Sequence, residues 1–525
     1  MALMPYTGPW GAAQAAHLVR RTMFGATPAD VQKALSMGLN GAVDALLADT
    51  PEPPEPIAYV KTGSVAEGNP WTSGPYEEGS DNTRNLLLQS WWIELILKQD
   101  FSAREKMTMF WANHYATGST QVHDARYMFN QNALLRANAF GSAKELTKSI
   151  TFDPAMLRYL SGSSNTKTNP NENYARELQE LFTIGKGPEV SVGDYTFYTE
   201  QDVKMAARVL TGWKDDQTKM TAAFTGTNHD TGTKTFSARY GQKAITGGNS
   251  QVGATREIDD LLNMIYSQPE AARFLARKLY RYFVDYVVTP QIEADIIESV
   301  AQILRDNSYE VRPALKALFT STWFYDAERV GCVIKMPADL VLGTIRLFQP
   351  ADLYPADTKL RHWAYRTVRR TMATMAQDLL NPPNVAGLPA FYQEPAYHEL
   401  WVNADTLQKR VKFTNDIALD GYLLDESYEP SFCDPFLIGP WLSDPTDPTK
   451  LVNDIAAVVF PVPINDTQRQ TLVDIILAGH PAYTWAGAWL QYEGNPSDEA
   501  TKAVVEKRLR ALLKYMLGMA EYQVC

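Results

Sequence analysis

Asn169-Pro-Asn-Glu-Asn-Tyr-Ala-Arg-Glu-Leu-Gln-Glu-Leu-Phe-Thr-Ile-Gly185 sets the fold class. Asn169 suits an N-cap, Pro170 suits the first helical position, and Glu172 stands three residues after the cap, where its carboxylate can reach back. The spacing predicts a helix from residue 170 to about residue 184, closed by Gly185. At 100° per residue, Tyr174, Ala175, Leu178, Leu181 and Phe182 form one apolar arc. Asn173, Arg176, Glu177 and Glu180 run as a polar stripe along its edge, and Glu177 falls between Leu181 and Ile184. A carboxylate in that arc is partly desolvated and needs a cation, a metal or hydrogen-bond donors. Two readings stay open, a structural Glu–Arg network and a ligand or catalytic site.

Helical periodicity continues on both sides. Residues 12–48 read as two amphipathic helices broken at Phe24-Gly-Ala-Thr-Pro28, with Thr27 as a cap. Residues 50–79 are rich in Pro, Gly, Ser and Glu and read as an exposed excursion or linker. A helix follows at 85–99, and Ser102-Ala-Arg-Glu105 reads as a capping box opening the next, whose apolar face is Met107, Phe110, Trp111 and His114. His114 therefore points inward, as a satisfied core residue or as a ligand.

Further helices are expected at 125–140, 142–149, 153–160 and 200–210, the last capped by Thr199 with Asp202 as its structural partner. The pattern resumes at 254–266, 270–284, 292–306, 313–320 and 337–348; the basic residues Arg273, Arg277, Lys278 and Arg281 of the second of these read as a solvated face. No βαβ alternation is present. After Asn381 the composition shifts to Pro, Trp, Tyr and Gly, with an Asp- and Pro-rich stretch from 431 to 449, and only 407–419 and 498–517 read as helical there.

The expected fold is mainly α, an orthogonal and antiparallel multi-helix array with a loop-rich C-terminal region and at most a small β-hairpin. Four parts are expected: a helical hairpin (1–50), an exposed linker (51–84), a helical core carrying the site (85–350) and a loop-rich aromatic region closing with a helix (351–525).

A chain of 525 residues, 45% apolar and with net charge −11, has ample material for burial and lacks the basic stretches of a nucleic-acid binder. Cys332, Cys433 and Cys525 are too few and too far apart for a disulfide framework or a zinc knuckle, so free thiols are expected. No export signal and no transmembrane stretch is evident, and a soluble, cytoplasmic protein is the default expectation.

A second polar cluster lies in the loop His229-Asp-Thr-Gly-Thr-Lys234, which puts an imidazole, a carboxylate and an ammonium on one turn. Its structural reading is an Asx-turn with a solvated lysine. The sharper expectation is one pocket, with His114, Glu177, His229 and Asp230 as catalytic groups and Arg176, Lys234 and Asn173 as substrate-binding groups. In that pocket His114, Glu177, Glu180 and His229 could bind a divalent metal ion. Helical Glu-x-x-His and His-Glu-x-x-His pairs, a Gly-x-Ser-x-Gly elbow and a P-loop are all absent.

The chain resembles a bacterial family catalogued as domain of unknown function 1800, collinearly over nearly its whole length. The resemblance rests on His17-Leu-Val-Arg-Arg21 with Phe24-Gly25 and Thr27-Pro28, Arg104-Glu-Lys-Met-Thr-Met-Phe-Trp-Ala-Asn-His114 and Pro154-Ala-Met-Leu-Arg-Tyr-Leu160. It continues through Pro170-Asn-Glu-Asn-Tyr-Ala-Arg-Glu177, Tyr198-Thr-Glu-Gln-Asp-Val203, Leu210-Thr-Gly-Trp213, His229-Asp230 with Lys234, Lys335-Met-Pro337 and Pro382-Pro-Asn-Val-Ala-Gly387. The resemblance implies no settled activity. It implies that relatives are often exported and often encoded beside a companion, domain of unknown function 1501, of sulfatase-like fold. Ala112 stands where a second histidine is common, which removes a ligand from any two-histidine metal site there.

Three functions follow as expectations: an enzyme, with or without a metal, acting on an anionic or polar substrate; an adaptor for the sulfatase-like companion; and a carbohydrate binder using aromatic platforms.

Overall fold

Helices form where apolar spacing and a cap coincide, and the chain repeats that combination from end to end. The computed structural model describes residues 3–348, 357–420, 422 and 433–525. The expected boundary at 351 and the start of the Asp- and Pro-rich stretch at Ser431 lie outside the described residues. Among the described residues the fold is mainly α, with 22 α-helices and three two-stranded antiparallel sheets. The sheets pair Glu189–Ser191 with Asp194–Tyr195, Trp213–Asp216 with Thr221–Phe224, and Lys234–Thr235 with Ala244–Ile245.

The N-terminal hairpin consists of helices Ala12–Thr22 and Pro28–Leu46, the second capped by Thr27. Residues 51–77 hold no long element; much of the stretch is exposed, while Tyr59, Thr62 and Trp71 are buried and anchor it to the helices.

Helix Arg104–His114 is central to the packing, buried on nearly every side. The capping box expected at its start is not formed. Ser102 accepts from the Arg104 N–H, while Glu105 turns inward to bind Arg136 at 2.7 and 3.0 Å and the Trp92 indole N–H at 2.8 Å. A buried carboxylate gains more from a two-pronged guanidinium and an indole than from one backbone N–H at a cap. Thr199 and Asp202 do form their capping box, and Asp202 also accepts from the Ser237 N–H at 2.6 Å, tying a distant loop to that helix.

The C-terminal third is more helical than its composition implies. Helices Thr358–Thr374, Pro448–Val459, Asp466–Leu477 and Ala482–Gly494 join the two that the sequence predicts, and the region is therefore not loop-dominated. Their starts carry ordinary signals, Asp447 with Pro448 at the first position and an Asn465–Gln468 capping box. Residues 381–403 remain irregular, apart from short 3-10 turns at Pro389–Phe391 and Tyr397–Trp401, and lie across the helical core.

Candidate functional site

The sequence-predicted residues occupy three separate clusters. The first is the helix Asn173–Glu177 and its continuation as a π-helix, Leu178–Thr183. It begins three residues later than predicted, because Asn171 accepts from the Asn173 N–H at 2.9 Å while its own N–H is held by Asn165. The wide turn rotates the following residues, so Gln179 is fully buried and Leu181 only half-buried, the reverse of the 100° projection.

Arg176 is claimed by Glu200 at 2.6 and 2.7 Å and by Glu172 at 3.2 Å, and is no free substrate ligand. Glu180 accepts from the Tyr198 hydroxyl at 2.8 Å, and Asn173 is exposed. Glu177 is half-buried at the rim, and desolvation, reinforced by Glu180 and opposed by Arg176, raises its pKa to about 7.

That shift fixes the sign of a pH effect. The folded state holds a proton on Glu177 that the unfolded chain releases, so native stability falls as the pH rises from about 4.5 to about 7. Glu177→Gln is expected to leave stability unchanged at pH 4. It should raise stability above pH 8 by on the order of 1 kcal/mol, after allowance for solvent screening at the rim. Urea titrations at the two pH values decide this; an equal effect at both removes the desolvated carboxylate from the account.

The second cluster holds His114. Its Nε2 donates to the carbonyl of Phe182 at 3.1 Å, so Nδ1 is the acceptor for the Lys278 ammonium at 3.1 Å, and Lys278 also donates to Leu181 O at 2.8 Å. Imidazole and ammonium together cap the carbonyls at the end of the π-helix. Burial holds His114 well below the ordinary histidine range, assisted by Lys278, and burial brings Lys278 down to about 7. Lys278 thus faces the core, and Arg273 and Arg277 are paired with Glu298, Glu270 and Glu293; this helix is not the solvated basic face expected of it.

The third cluster surrounds His229, which is buried with Lys234 and Glu257. His229 Nδ1 lies 2.8 Å from the Thr211 carbonyl and Nε2 lies 2.9 Å from Glu257 Oε1, while Lys234 donates to Glu257 Oε2 at 2.6 Å and to the Asp230 carbonyl. Burial works against ionisation of Glu257, but His229, Lys234 and the Gly248 N–H together hold its pKa below the ordinary range. Asp230 is bound two-pronged by Arg208 at 2.7 and 3.2 Å. The turn is therefore a buried, internally satisfied tie, with Lys234 dry and not solvated.

His114 and Lys278 bond to the π-helix through the Phe182 and Leu181 carbonyls, but among the described residues no hydrogen bond or ion pair joins the side chains of His114, Glu177 and His229 to one another, and no three His, Cys, Asp or Glu side chains there are grouped to hold a metal ion. The single pocket expected from His114, Glu177, His229 and Asp230, and the metal set with Glu180, are not assembled. His114, Arg176, Asp230 and Lys234 are each held by a residue outside the expected set, Lys278, Glu200, Arg208 and Glu257 respectively.

A different constellation does converge, and it lies elsewhere. Arg20 and Arg21 at the end of the first helix, Lys106 on the central helix, Arg281 and Tyr282 on helix Pro269–Phe283, and Tyr397 and His398 from the irregular segment line one cleft. The cleft offers about 30 Å³ for the centres of water-sized molecules, above the roughly 10–15 Å³ that one water needs. Its one lining acidic side chain, Asp339, is paired with Lys106.

Arg21 donates from Nε to Phe283 O at 2.9 Å and from Nη1 to the Cys525 sulfur at 3.0 Å, and Arg20 donates to Val458 O at 2.6 Å. Arg21 Nη2, Arg281 Nε and His398 Nε2 are buried and have no partner. His398 Nδ1 accepts from the Ile334 N–H at 2.7 Å, which places the ring proton on the unpartnered Nε2. Burial, with Arg21 nearby, lowers the His398 pKa to about 4, so the ring is neutral and that N–H is a fixed donor.

The sequence pattern of one family, described as "Protein of unknown function (DUF1800)", matches residues 17–524. The chain belongs to that family. No curated protein and no solved structure matches it. Three of the segments that carry the DUF1800 resemblance, residues 17–21, 104–114 and 335–337, supply Arg20, Arg21, Lys106 and Met336 to the cleft. A fourth, residues 382–387, leads into its cover. Gly387 has φ +88°, and a Cβ there would sit 2.5 Å from Asn113 Oδ1 and 2.6 Å from Asn113 O, so only glycine lets this turn seat on the central helix. Among the described residues of this DUF1800 chain, no helix is long and apolar enough to cross a membrane.

Proposed function

We propose that this protein binds a small anionic molecule, or the anionic end of a larger one, in the cleft between Arg20, Arg21, Lys106, Arg281 and His398. One observation carries the reading: three residues that line the same cleft, Arg21, Arg281 and His398, each hold a buried N–H donor without an acceptor. Buried donors left unpaired are costly, and a carboxylate or phosphate oxygen is the acceptor that guanidinium groups match best. The cations Arg20, Arg21, Lys106 and Arg281 outnumber the acids that meet them, Asp339 on Lys106 and Glu394 at 4.0 Å from Arg281, and this surplus favours an ionised ligand over water. If chemistry occurs on the bound molecule, the cleft supplies positive charge that stabilises its anionic group.

The test is calorimetric titration of the full chain with inorganic phosphate, sulfate and citrate, each against chloride at equal ionic strength. A specific ligand at a hundred times its Kd should stabilise the fold by about 2.7 kcal/mol. Phosphate and citrate distinguish phosphoryl from carboxylate ligands. Equal, non-saturable effects of all four ions defeat the proposal.

A second reading, docking to a protein partner such as the sulfatase-like companion, is favoured by Tyr483 at 75%, Leu490 at 56%, Val504 at 46% and Tyr515 at 49% exposure on helices Ala482–Gly494 and Glu499–Gly518. Large apolar side chains exposed to solvent on two adjacent helices fit an interface. A Tyr483→Asp, Leu490→Asp double variant is expected to lose co-purification with that companion; retention at wild-type yield excludes these helices as the contact.

A further inference from the structure

On the other side of Phe391, which lines both cavities, lies a pocket of different chemistry. It offers about 50 Å³ for the centres of water-sized molecules and is walled by Trp92, Leu135, Leu379 and Leu388. Asn132, on helix Ala125–Ala137, lines it at 2% exposure, and neither its Oδ1 nor its Nδ2 has a partner. A buried amide with both ends open is the group that asks for an explanation.

Its neighbours are already committed. Gln131 donates to Thr117 Oγ1 at 3.0 Å and to Asp153 Oδ2 at 2.8 Å, and Asn113 Oδ1 accepts from the Leu388 N–H at 2.8 Å. The Trp92 N–H is held by Glu105, and the carboxylate of Asp378, the one acidic group on the wall, binds Arg369 and Asn381. Gln377 accepts from the Ala338 N–H at 2.7 Å, but its NH2 meets only the sulfurs of Met109 and Met336 at 3.4 and 3.7 Å, which are weak acceptors. The free capacity of the pocket is therefore one strong acceptor and amide donors, side by side, between apolar walls.

We infer that this pocket is a binding site for an uncharged carboxamide or lactam group carried on an apolar body. The edge of such a group presents one donor and one acceptor, matching Asn132 in a two-bond pair, and its carbon atoms suit the leucine, tryptophan and phenylalanine walls. An ionised group would lose its hydration there with no free counter-charge. Water could satisfy Asn132 but leaves the apolar walls wet. The inference does not depend on the anion cleft.

The probes are propionamide and 2-pyrrolidone, compared with the near-isosteres methyl acetate and propionate, by ligand-observed NMR on the full chain. Saturable binding of both amides is expected. The ester, the acid and the Asn132→Leu variant should each bind at least about tenfold more weakly, the equivalent of ~1.4 kcal/mol for the missing hydrogen bonds. The unfolding midpoint of Asn132→Leu should not fall, since an unpaired buried amide is replaced by carbon. No saturable amide binding, equal binding of amide and ester, or full binding by folded Asn132→Leu overturns the inference. Should Asn132→Leu fail to fold, Leu388→Trp, which fills the pocket from the facing wall, must abolish binding, and persistence overturns the inference equally. Phosphate and citrate titrations of the same proteins report on the anion cleft separately.

Discussion

Glu257→Gln is expected to destabilise the protein by about 3–5 kcal/mol, the range for breaking a buried ion pair from one side. Glu257, His229 and Lys234 are buried together, and Glu257 meets three donors at once: His229 Nε2 at 2.9 Å, Lys234 Nζ at 2.6 Å and the Gly248 N–H at 2.6 Å. A glutamine at this site can offer its oxygen to His229 and Gly248, but its NH2 then faces the Lys234 ammonium. That charge is left with the Asp230 carbonyl and with Asp230 Oδ1 at 4.0 Å. Adding Lys234→Met removes the stranded charge and should recover most of the loss, so the two changes combine far from additively.

The pH dependence follows from the lowered pKa of Glu257. Its stabilisation is fully present above the ordinary glutamate range and disappears as the pH falls below that range, so wild type and variant should converge in acid. Urea midpoints of the two single variants and the double variant, at pH 7 and pH 3, measure all of this. A Glu257→Gln protein within 1 kcal/mol of wild type at pH 7, a threshold well under the ~3–5 kcal/mol expected, shows that the tie contributes little.

The helical architecture was readable because its signals are local. Thr27 before Pro28, Thr199 with Asp202 and the spacing of Met107, Phe110, Trp111 and His114 each act within one or two turns, and each stands where the sequence puts it. Reading failed where a distant partner outbid a local one. Glu105 leaves its expected cap for Arg136, and the π-turn after Glu177 exchanges Gln179 for Leu181, a change that periodicity cannot foresee. The ionisable residues singled out in the sequence are held by partners that no short window shows, Lys278 for His114, Glu200 for Arg176, Arg208 for Asp230 and Glu257 for His229 and Lys234.

The cleft has no local signature. Arg20, Arg21, Lys106, Arg281 and His398 lie on different elements, and no window of sequence shows more than two of them. One signal is present in the sequence: Arg21 stands one helical turn after Leu18, on the side of the helix that the apolar residues occupy, the same kind of anomaly as Glu177.

Arg21→Gln is accordingly the change expected to act most strongly on binding. It should weaken the anion identified by titration at least about a hundredfold, within the ~2–5 kcal/mol seen when one partner of a buried charge contact is removed. Arg21 is 3% exposed, and its Nε and Nη1 are occupied by Phe283 O and the Cys525 sulfur, which aims the remaining Nη2 from a fixed frame. Arg21→Lys should fail almost as badly, because an ammonium cannot hold Phe283 O, the Cys525 sulfur and a ligand oxygen in the geometry of the guanidinium fork. His398→Phe, which removes one neutral donor and no charge, should weaken binding by only about tenfold. The ordering of the three variants carries the argument, since a general loss of structure would not follow it; urea midpoints on the same samples separate folding from binding. A folded Arg21→Gln protein that keeps its anion affinity within about threefold, less than ~0.7 kcal/mol, means that the cations of this cleft serve the fold alone.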